Sequence, residues 1–354
     1  MDDIPVNVLV AAAAFPLGIG FGALVRWGDF CTMGAISDIV LMGDWRRFRA
    51  WMLAIAIAMA GSQAMHLAGL VDLGDSIYLT PNLGWAGAIL GGFMFGYGMV
   101  LAGGCGSRSV VRLGGGNLKS LVAVVTLGLV AYATLRGILA LPRLRLEEAT
   151  NFDLSAIAPG QGIPELLAAG GLGEADSLRL IVAGSFIGLL VLFALTSPRF
   201  LAAPKLWISA ILIGLAVPAG WAITGMLGAD DFDPTALASL TFVAPIGEGI
   251  VYLLTYTGAS INFGIAAVAG AIFGGFIVSI AQGTFRIESF ADGNDFLRHL
   301  VGGALMGCGG VLALGCTVGQ GLTGISTLAA GSLLAILAII FGAWCALKYL
   351  LGAD

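Results

Sequence analysis

Runs of about twenty apolar residues recur from one end of the chain to the other, and that feature leaves few folds open. They lie near 6–27, 48–70, 84–102, 118–140, 179–196, 205–226, 260–281, 297–313 and 325–350. A soluble globule has no interior large enough for them. Hydrophobic residues make up 58% and charged residues only 10% of the chain, against roughly 25% charged in ordinary soluble domains. The fold class is an all-α, multi-spanning membrane protein. The 354 residues leave no room beside nine crossings for a sizeable soluble domain. A net charge of −5 and the lack of a basic stripe exclude nucleic acid as a partner, leaving membrane lipid as the surroundings.

Charge placement sets the topology. Residues 142–178 are the most charged and Pro/Gly-punctuated stretch and read as an extramembrane linker. A further run, 236–256, is interrupted by Pro245-Ile246-Gly247-Glu248-Gly249, and is either a tenth span or a re-entrant excursion. With nine spans, one side collects 12 of the 16 Lys and Arg, and the other holds 14 of the 21 acids. A tenth span would reduce the basic asymmetry to 9 against 7. Basic loops face the cytoplasm, so nine spans are expected, with the N-terminus outside, the C-terminus cytoplasmic and the linker external. Met1-Asp2-Asp3-Ile4-Pro5 carries acid where a cleaved leader would carry base, so the first helix is expected to be retained. The bacterial cytoplasmic (inner) membrane is the expected location.

The chain also repeats itself. Residues 92–105 match 303–316 at a constant offset of 211, with Gly92/Gly303, Gly96/Gly307, Gly98/Gly309, Ala102/Ala313, Gly104/Gly315 and Cys105/Cys316 identical. A weaker match pairs Gly20 with Gly214 and Trp27 with Trp221, and sets Cys31 opposite Gly225. Each half therefore holds four helices, 1–141 and 197–354, joined by the linker and a connecting helix at 179–196. Four plus one plus four turns the second half upside down relative to the first, an inverted repeat of the kind transporters use.

Chemistry is expected where glycines interrupt the helices. Gly103-Gly104-Cys105-Gly106-Ser107-Arg108, running on to Asn117, and Gly315-Cys316-Thr317-Val318-Gly319-Gln320-Gly321-Leu322-Thr323-Gly324 should break or re-enter and meet near the midplane. Opened backbone at membrane depth must line a cavity or be buried by protein. The half-helix N-termini it creates suit an anion. A lone Gly-Gly-Cys reads as close helix packing; its recurrence at symmetry-related positions beside Ser, Thr, Gln and Asn favours an ion path. Cys31, in Arg26-Trp27-Gly28-Asp29-Phe30-Cys31, ends the first helix in a similar context. Cys308 and Cys345 read as packing residues, and all five cysteines as free thiols. His66 and His299 have no paired spacing, so no metal is expected. There is no phosphate-cradling loop and no hydrolytic triad, so neither a cofactor nor enzymatic activity is expected. Glu248, isolated in an apolar run, is either a proton-coupling carboxylate or a loop residue.

At these motifs the sequence resembles the YeeE/YedE family of sulfur-transport membrane proteins. The resemblance rests on Gly98-Met99-Val100-Leu101-Ala102-Gly103-Gly104-Cys105, on Val111-Arg112-Leu113-Gly114-Gly115-Gly116-Asn117 and on Leu314-Gly315-Cys316-Thr317-Val318-Gly319-Gln320-Gly321. It implies thiosulfate uptake through an inverted-repeat bundle with re-entrant hairpins. It also implies that Cys31, Cys105 and Cys316 guide the ion by S–H contacts. Gly104, Gly106, Gly315, Thr317 and Gln320 complete the expected path. A neutral thiol is a weak donor, and weak serial sites let an ion enter and leave. The resemblance further implies a small TusA-like sulfur carrier at the cytoplasmic face. Arg46, Arg47 and Arg49 either dock it or simply follow the positive-inside bias. Two alternatives stay open: another sulfur or selenium species as cargo, and a membrane thiol oxidoreductase, against which stands the missing Cys-x-x-Cys.

Overall fold

The computed structural model describes residues 5–230 and 234–352, so the reading of Met1, Asp2, Asp3 and Ile4 as an uncleaved start lies outside the described residues. The first half contains four long helices in two pairs, with a short helix inserted within each pair. α1 (Val6–Trp27) is followed by the short α2 (Thr32–Met42), then by α3 (Arg46–Leu67). α4 (Trp85–Leu101) is followed by the short α5 (Gly106–Gly114), then by α6 (Leu118–Arg136). The linker region carries α7 (Ala140–Thr150) and α8 (Ile163–Ala169), and leads into α9 (Ala175–Leu195) and the single turn α10 (Pro198–Leu201). The second half has α11 (Pro204–Ala222), the short α12 (Val243–Leu254), α13 (Phe263–Ala281), α14 (Gly293–Leu312) and α15 (Ala330–Gly352). Between α14 and α15 the chain winds into a π-helical turn over Gly319–Gly324.

Among the described residues, eight helical stretches are long and apolar enough to cross a membrane, one fewer than expected. The difference is α14. Asn294, Asp295, Arg298 and His299 occupy its first two turns, which lowers its hydropathy although it packs between α4 and α6. α12 has 12 residues, about 18 Å at 1.5 Å per residue, too short for a bilayer core of roughly 30 Å. The run at 236–256 is therefore an excursion and not a tenth span. α9 starts at Ala175 and α7 straddles the expected boundary at 141/142.

Long helices pair in a fixed pattern. α1 lies along α13 and α3 along α11; α4 lies along α15 and α6 along α14; α4 and α14 also pack on each other. Glycine allows the closest of these approaches. A Cβ on Gly98 would lie 2.7 Å from the Gly302 carbonyl oxygen, and a Cβ on Gly302 would lie 2.7 Å from that of Gly98. Any side chain at either position would force α4 and α14 apart, which is the small-residue logic of membrane bundles. α9 sits on the periphery against α3 and α8 and exposes Leu189 and Leu192, as a lipid-facing helix would.

The linker folds back on the bundle. Phe152–Asp153 pairs antiparallel with Asn82–Leu83 just ahead of α4. The Ile163 N–H donates to the Leu328 carbonyl (3.0 Å) and the Ala330 N–H to that of Gln161 (3.0 Å). Below this seam Arg179 pairs with Glu165 and donates to Gln63 Oε1 (3.2 Å), while Gln63 Nε2 donates to the Ser326 carbonyl (2.7 Å). Gln63 and Arg179 are both buried. The linker thus holds the chain between the π turn and α15.

Candidate functional site: cysteines at the starts of broken helices

Three motif cysteines stand where a helix restarts after a break. α1 stops at Gly28, Asp29 takes a left-handed φ of +50° and Cys31 becomes the N-cap of α2. Asp is among the few non-glycine residues that adopt this conformation readily. α4 stops at Ala102, Gly103 takes φ +65°, and Cys105 is the N-cap of α5. After α14, Leu314 takes φ +56°, Gly315 and Cys316 leave the helix, and residues 317–326 rewind through the π turn. The expected breaks are present, and each leaves helix-start N–H groups without intrahelical partners.

Cys31 and Cys316 are held alike. Cys31-Thr32-Met33-Gly34 and Cys316-Thr317-Val318-Gly319 share the pattern Cys-Thr-x-Gly. In both, the sulfur accepts the N–H of the glycine three residues on, at 3.4 Å. In both, the threonine hydroxyl is buried and has no oxygen or nitrogen partner. Cys105 differs: its sulfur contacts the Ser107 hydroxyl at 3.4 Å.

The three thiols, all buried, come together inside the bundle. The side chains of Cys31 and Cys105 interact, and Cys105 also lies beside Thr317. Cys316 is near enough for its charge state to act on Cys105 and on Tyr78. Tyr78 in turn bonds to Thr241 and meets Trp221 edge-on at 6.4 Å between ring centroids. The order is therefore Cys31, Cys105, Thr317 and Cys316, then Tyr78. Gln320 donates to the Ala313 carbonyl and leaves its Oε1 unpartnered and buried. A Cβ on Gly315 would touch Gln320 Cγ at 3.3 Å. A Cβ on Gly104 would touch Arg108 Cγ at 3.5 Å, and one on Gly106 would touch Leu127 Cδ1 at 3.3 Å. Gly106 thus packs against α6.

The two ends of this row differ. Beyond Cys316 lies a cavity of about 20 Å³ lined by Tyr78, Gln161, Leu314, Gln320 and Ser332. It holds about one water and no polyatomic ion. Beyond Cys31 lie arginines. Arg47 and Arg108 both bond the Asp29 carboxylate. Arg108 also donates to the Val25 carbonyl (3.1 Å), and Arg112 donates to that of Gly103 (3.1 Å).

Other expected residues fall elsewhere. The His66 ring accepts the Leu73 N–H (3.2 Å), and His299 Nδ1 bonds the Asp295 carbonyl (2.8 Å). Glu248, half-buried, accepts from Asn262 (2.8 Å) beside a cavity of about 250 Å³. Cys308 and Cys345 lie within α14 and α15, away from any break. Arg47 and Arg49 turn inward, Arg47 onto Asp29 and Arg49 onto the Phe193 carbonyl and ring. Arg46 stays exposed and holds the Asp44 carboxyl below the usual carboxylate range. Sequence reasoning missed Thr32, Tyr78, Trp221 and the Arg47–Asp29–Arg108 cluster. The repeated Cys-Thr-x-Gly was the available signal for Thr32.

The sequence model of the family described as sulphur transport matches residues 27–345, a span that includes all three thiol breaks. The chain belongs to that family. It is 26% identical over 352 residues to the thiosulfate transporter TsuA of Escherichia coli (strain K12), covering 93% of this chain and 91% of that one. It is 29% identical over 339 residues to the thiosulfate transporter TsuA of Spirochaeta thermophila, covering 93% and 95%. A shorter match, 34% over 94 residues, joins 26% of this chain to 21% of the probable transporter YedE of Escherichia coli. The match across both halves makes this sulphur transport family member a multi-pass membrane protein.

Proposed function

We propose that this protein carries thiosulfate into the cytoplasm along the row Cys316, Thr317, Cys105 and Cys31. The observation that carries the reading is the pairing of buried thiols with unpartnered hydroxyls at restarted helices, in a chain whose full-length relatives are named thiosulfate transporters. Buried polar groups are normally hydrogen-bonded. Thr32 lacks a partner and Thr317 has none besides the Cys105 thiol, which fits donors that an ion engages in passing. The helix starts add a positive field without a fixed charge that would trap a dianion. Gln320 Oε1, an acceptor, suits a hydrated ion at the narrow end better than a bare one.

The two halves are related by inversion in this proposal. Exchanging α1 for α11, α3 for α13, α4 for α14 and α6 for α15 turns each observed pairing into another observed pairing. The arginine end faces the cytoplasm of the bacterial inner membrane, with the N-terminus and linker outside. A TusA-like small sulfur carrier would meet the chain at a cleft of about 550 Å³ lined by Trp45, Arg46, Arg49 and Arg199, since Arg47 is engaged internally on Asp29. The test is uptake of labelled thiosulfate into liposomes holding this chain alone. Uptake without a redox partner separates transport from thiol oxidoreduction; no uptake would overturn the proposal.

A further inference from the structure

The arginine end contains a charge arrangement that the thiol row does not need. Asp29 lies two residues before Cys31 on the left-handed turn that ends α1. Its two oxygens are taken by different guanidinium groups, Oδ1 by Arg108 from α5 and Oδ2 by Arg47 from α3. Arg47 reaches this place only because residue 34 lacks a side chain. A Cβ on Gly34 would lie 2.6 Å from Arg47 Nη1 and 3.5 Å from Cys31 Cβ, so Gly34 is the one residue between the Arg47 guanidinium and the Cys31 side chain. Arg47 also pairs with Asp38 (3.4 Å), and Arg112 with Glu288 (3.9 Å). Asp29 is nonetheless the carboxylate on which Arg47 and Arg108 converge.

Two guanidiniums from separate helices, offering donors to two oxygens of one group, make an oxyanion site by chemistry. A divalent oxyanion such as sulfate or thiosulfate offers such a pair of oxygens too, and as a whole carries twice the charge of a carboxylate. Left open, such a site would hold a divalent ion leaving Cys31 and slow its release. A tethered carboxylate competes at a millimolar or higher effective concentration and keeps the site weak.

We propose that Arg47 and Arg108 form a binding site for divalent oxyanions one step beyond Cys31, and that Asp29 is its resident ligand, displaced as an ion passes and returning to expel it. The cargo in this inference rests on the proposed transport of thiosulfate; the site itself does not. Asp29 is then a release device: the arginines draw the ion from the thiols, and the returning carboxylate neutralises one of their two charges.

The test uses sulfate, an inert tetrahedral dianion, with the purified full-length chain in detergent. Asp29→Asn and Asp29→Gly both suit the left-handed backbone; they leave Arg108 without its counter-charge and Arg47 with Asp38 alone. Calorimetry should show both variants binding sulfate at least tenfold more tightly than the unaltered chain, about the ratio one charge-assisted hydrogen bond sustains. Adding Arg108→Gln to either should abolish the gain, and Asp29→Glu should keep sulfate binding weak. In liposomes, Asp29→Asn should lower KM and Vmax together and make uptake sensitive to sulfate. Equal sulfate affinity in the unaltered chain, Asp29→Asn and Asp29→Gly would overturn the proposal, as would a gain that survives Arg108→Gln. If the unaltered chain carries no thiosulfate while Asp29→Asn gains sulfate affinity, the transport reading fails and the site stands.

Discussion

Replacing Thr317 by valine removes one hydroxyl and leaves the shape of the side chain nearly unchanged. That hydroxyl is fully buried and has no partner besides the Cys105 thiol, a weak one. Burying a hydroxyl without a partner costs roughly 1–3 kcal/mol, so Thr317→Val should stabilise the chain by about 1 kcal/mol. Spread over an unfolding entropy of about 2.1 cal/mol/K per residue, that is a rise in Tm of about 1–2 °C. Transport should move the other way. If the ion accepts a hydrogen bond from this group, its loss weakens one serial step by about 0.5–1.5 kcal/mol, or about 2- to 12-fold in uptake rate. Thr317→Ser keeps the donor and should transport nearly as the unaltered chain does while melting lower, because it leaves a methyl-sized void. Thr32→Val should repeat the pattern at the second Cys-Thr-x-Gly. The assay pairs thermal melting in detergent with labelled thiosulfate uptake in liposomes at matched protein. A Thr317→Val chain that melts lower and transports at full rate would refute the reasoning, since the hydroxyl would then be a structural group with an overlooked partner.

Alanine at Cys31, Cys105 or Cys316 should abolish growth of a sulfur-auxotrophic host on thiosulfate without loss of membrane expression, whereas Cys308→Ala and Cys345→Ala should grow nearly normally; normal growth of both Cys105→Ala and Cys316→Ala would sink the thiol row. Because the Cys31 and Cys105 side chains interact, a mild dithiol oxidant should block liposome uptake and a reductant restore it; Cys31→Ala should prevent formation of the reducible cross-link by mass spectrometry. Arg179→Gln leaves the half-buried Glu165 without its counter-charge and should cost about 3 kcal/mol, the low end for breaking a buried pair, read as a Tm loss of a few degrees, while Arg179→Gln combined with Glu165→Gln should recover part of it. A cysteine introduced at exposed Ser155 in the linker should react with a membrane-impermeant thiol reagent added outside intact cells; labelling only after permeabilisation would reverse the topology.

Much of this protein was legible as a linear pattern. Each long span announces itself because a membrane helix must satisfy its backbone internally and offer lipid an apolar surface, so hydropathy alone places α1, α3, α4, α6, α9, α11, α13 and α15. The breaks at Cys31, Cys105 and Cys316 were equally visible, since glycine and left-handed turns interrupt helices by local sterics. The ninth run, 297–313, is α14, whose polar start sets it below the hydropathy of the other spans. Its polar first turns are covered by partners such as Lys119, which pairs with Asp295 at 2.7 Å, and a hydropathy window cannot see a partner 176 positions away in sequence.

The amino-acid order by itself determined the class, the helices and the positions at which they open, because these follow from interactions within a few residues and between chain and lipid. Only the tertiary structure decided which opened ends face one another. It set Cys105 beside Thr317, more than 200 residues downstream, brought Arg47 and Arg108 from two helices onto Asp29, and tied residues 161–165 to the chain between the π turn and α15. Those juxtapositions depend on helix pairings such as Gly98 against Gly302, where close approach is permitted by what both partners lack. A missing side chain states that contact is possible and leaves the partner to be chosen by the packing of the whole bundle.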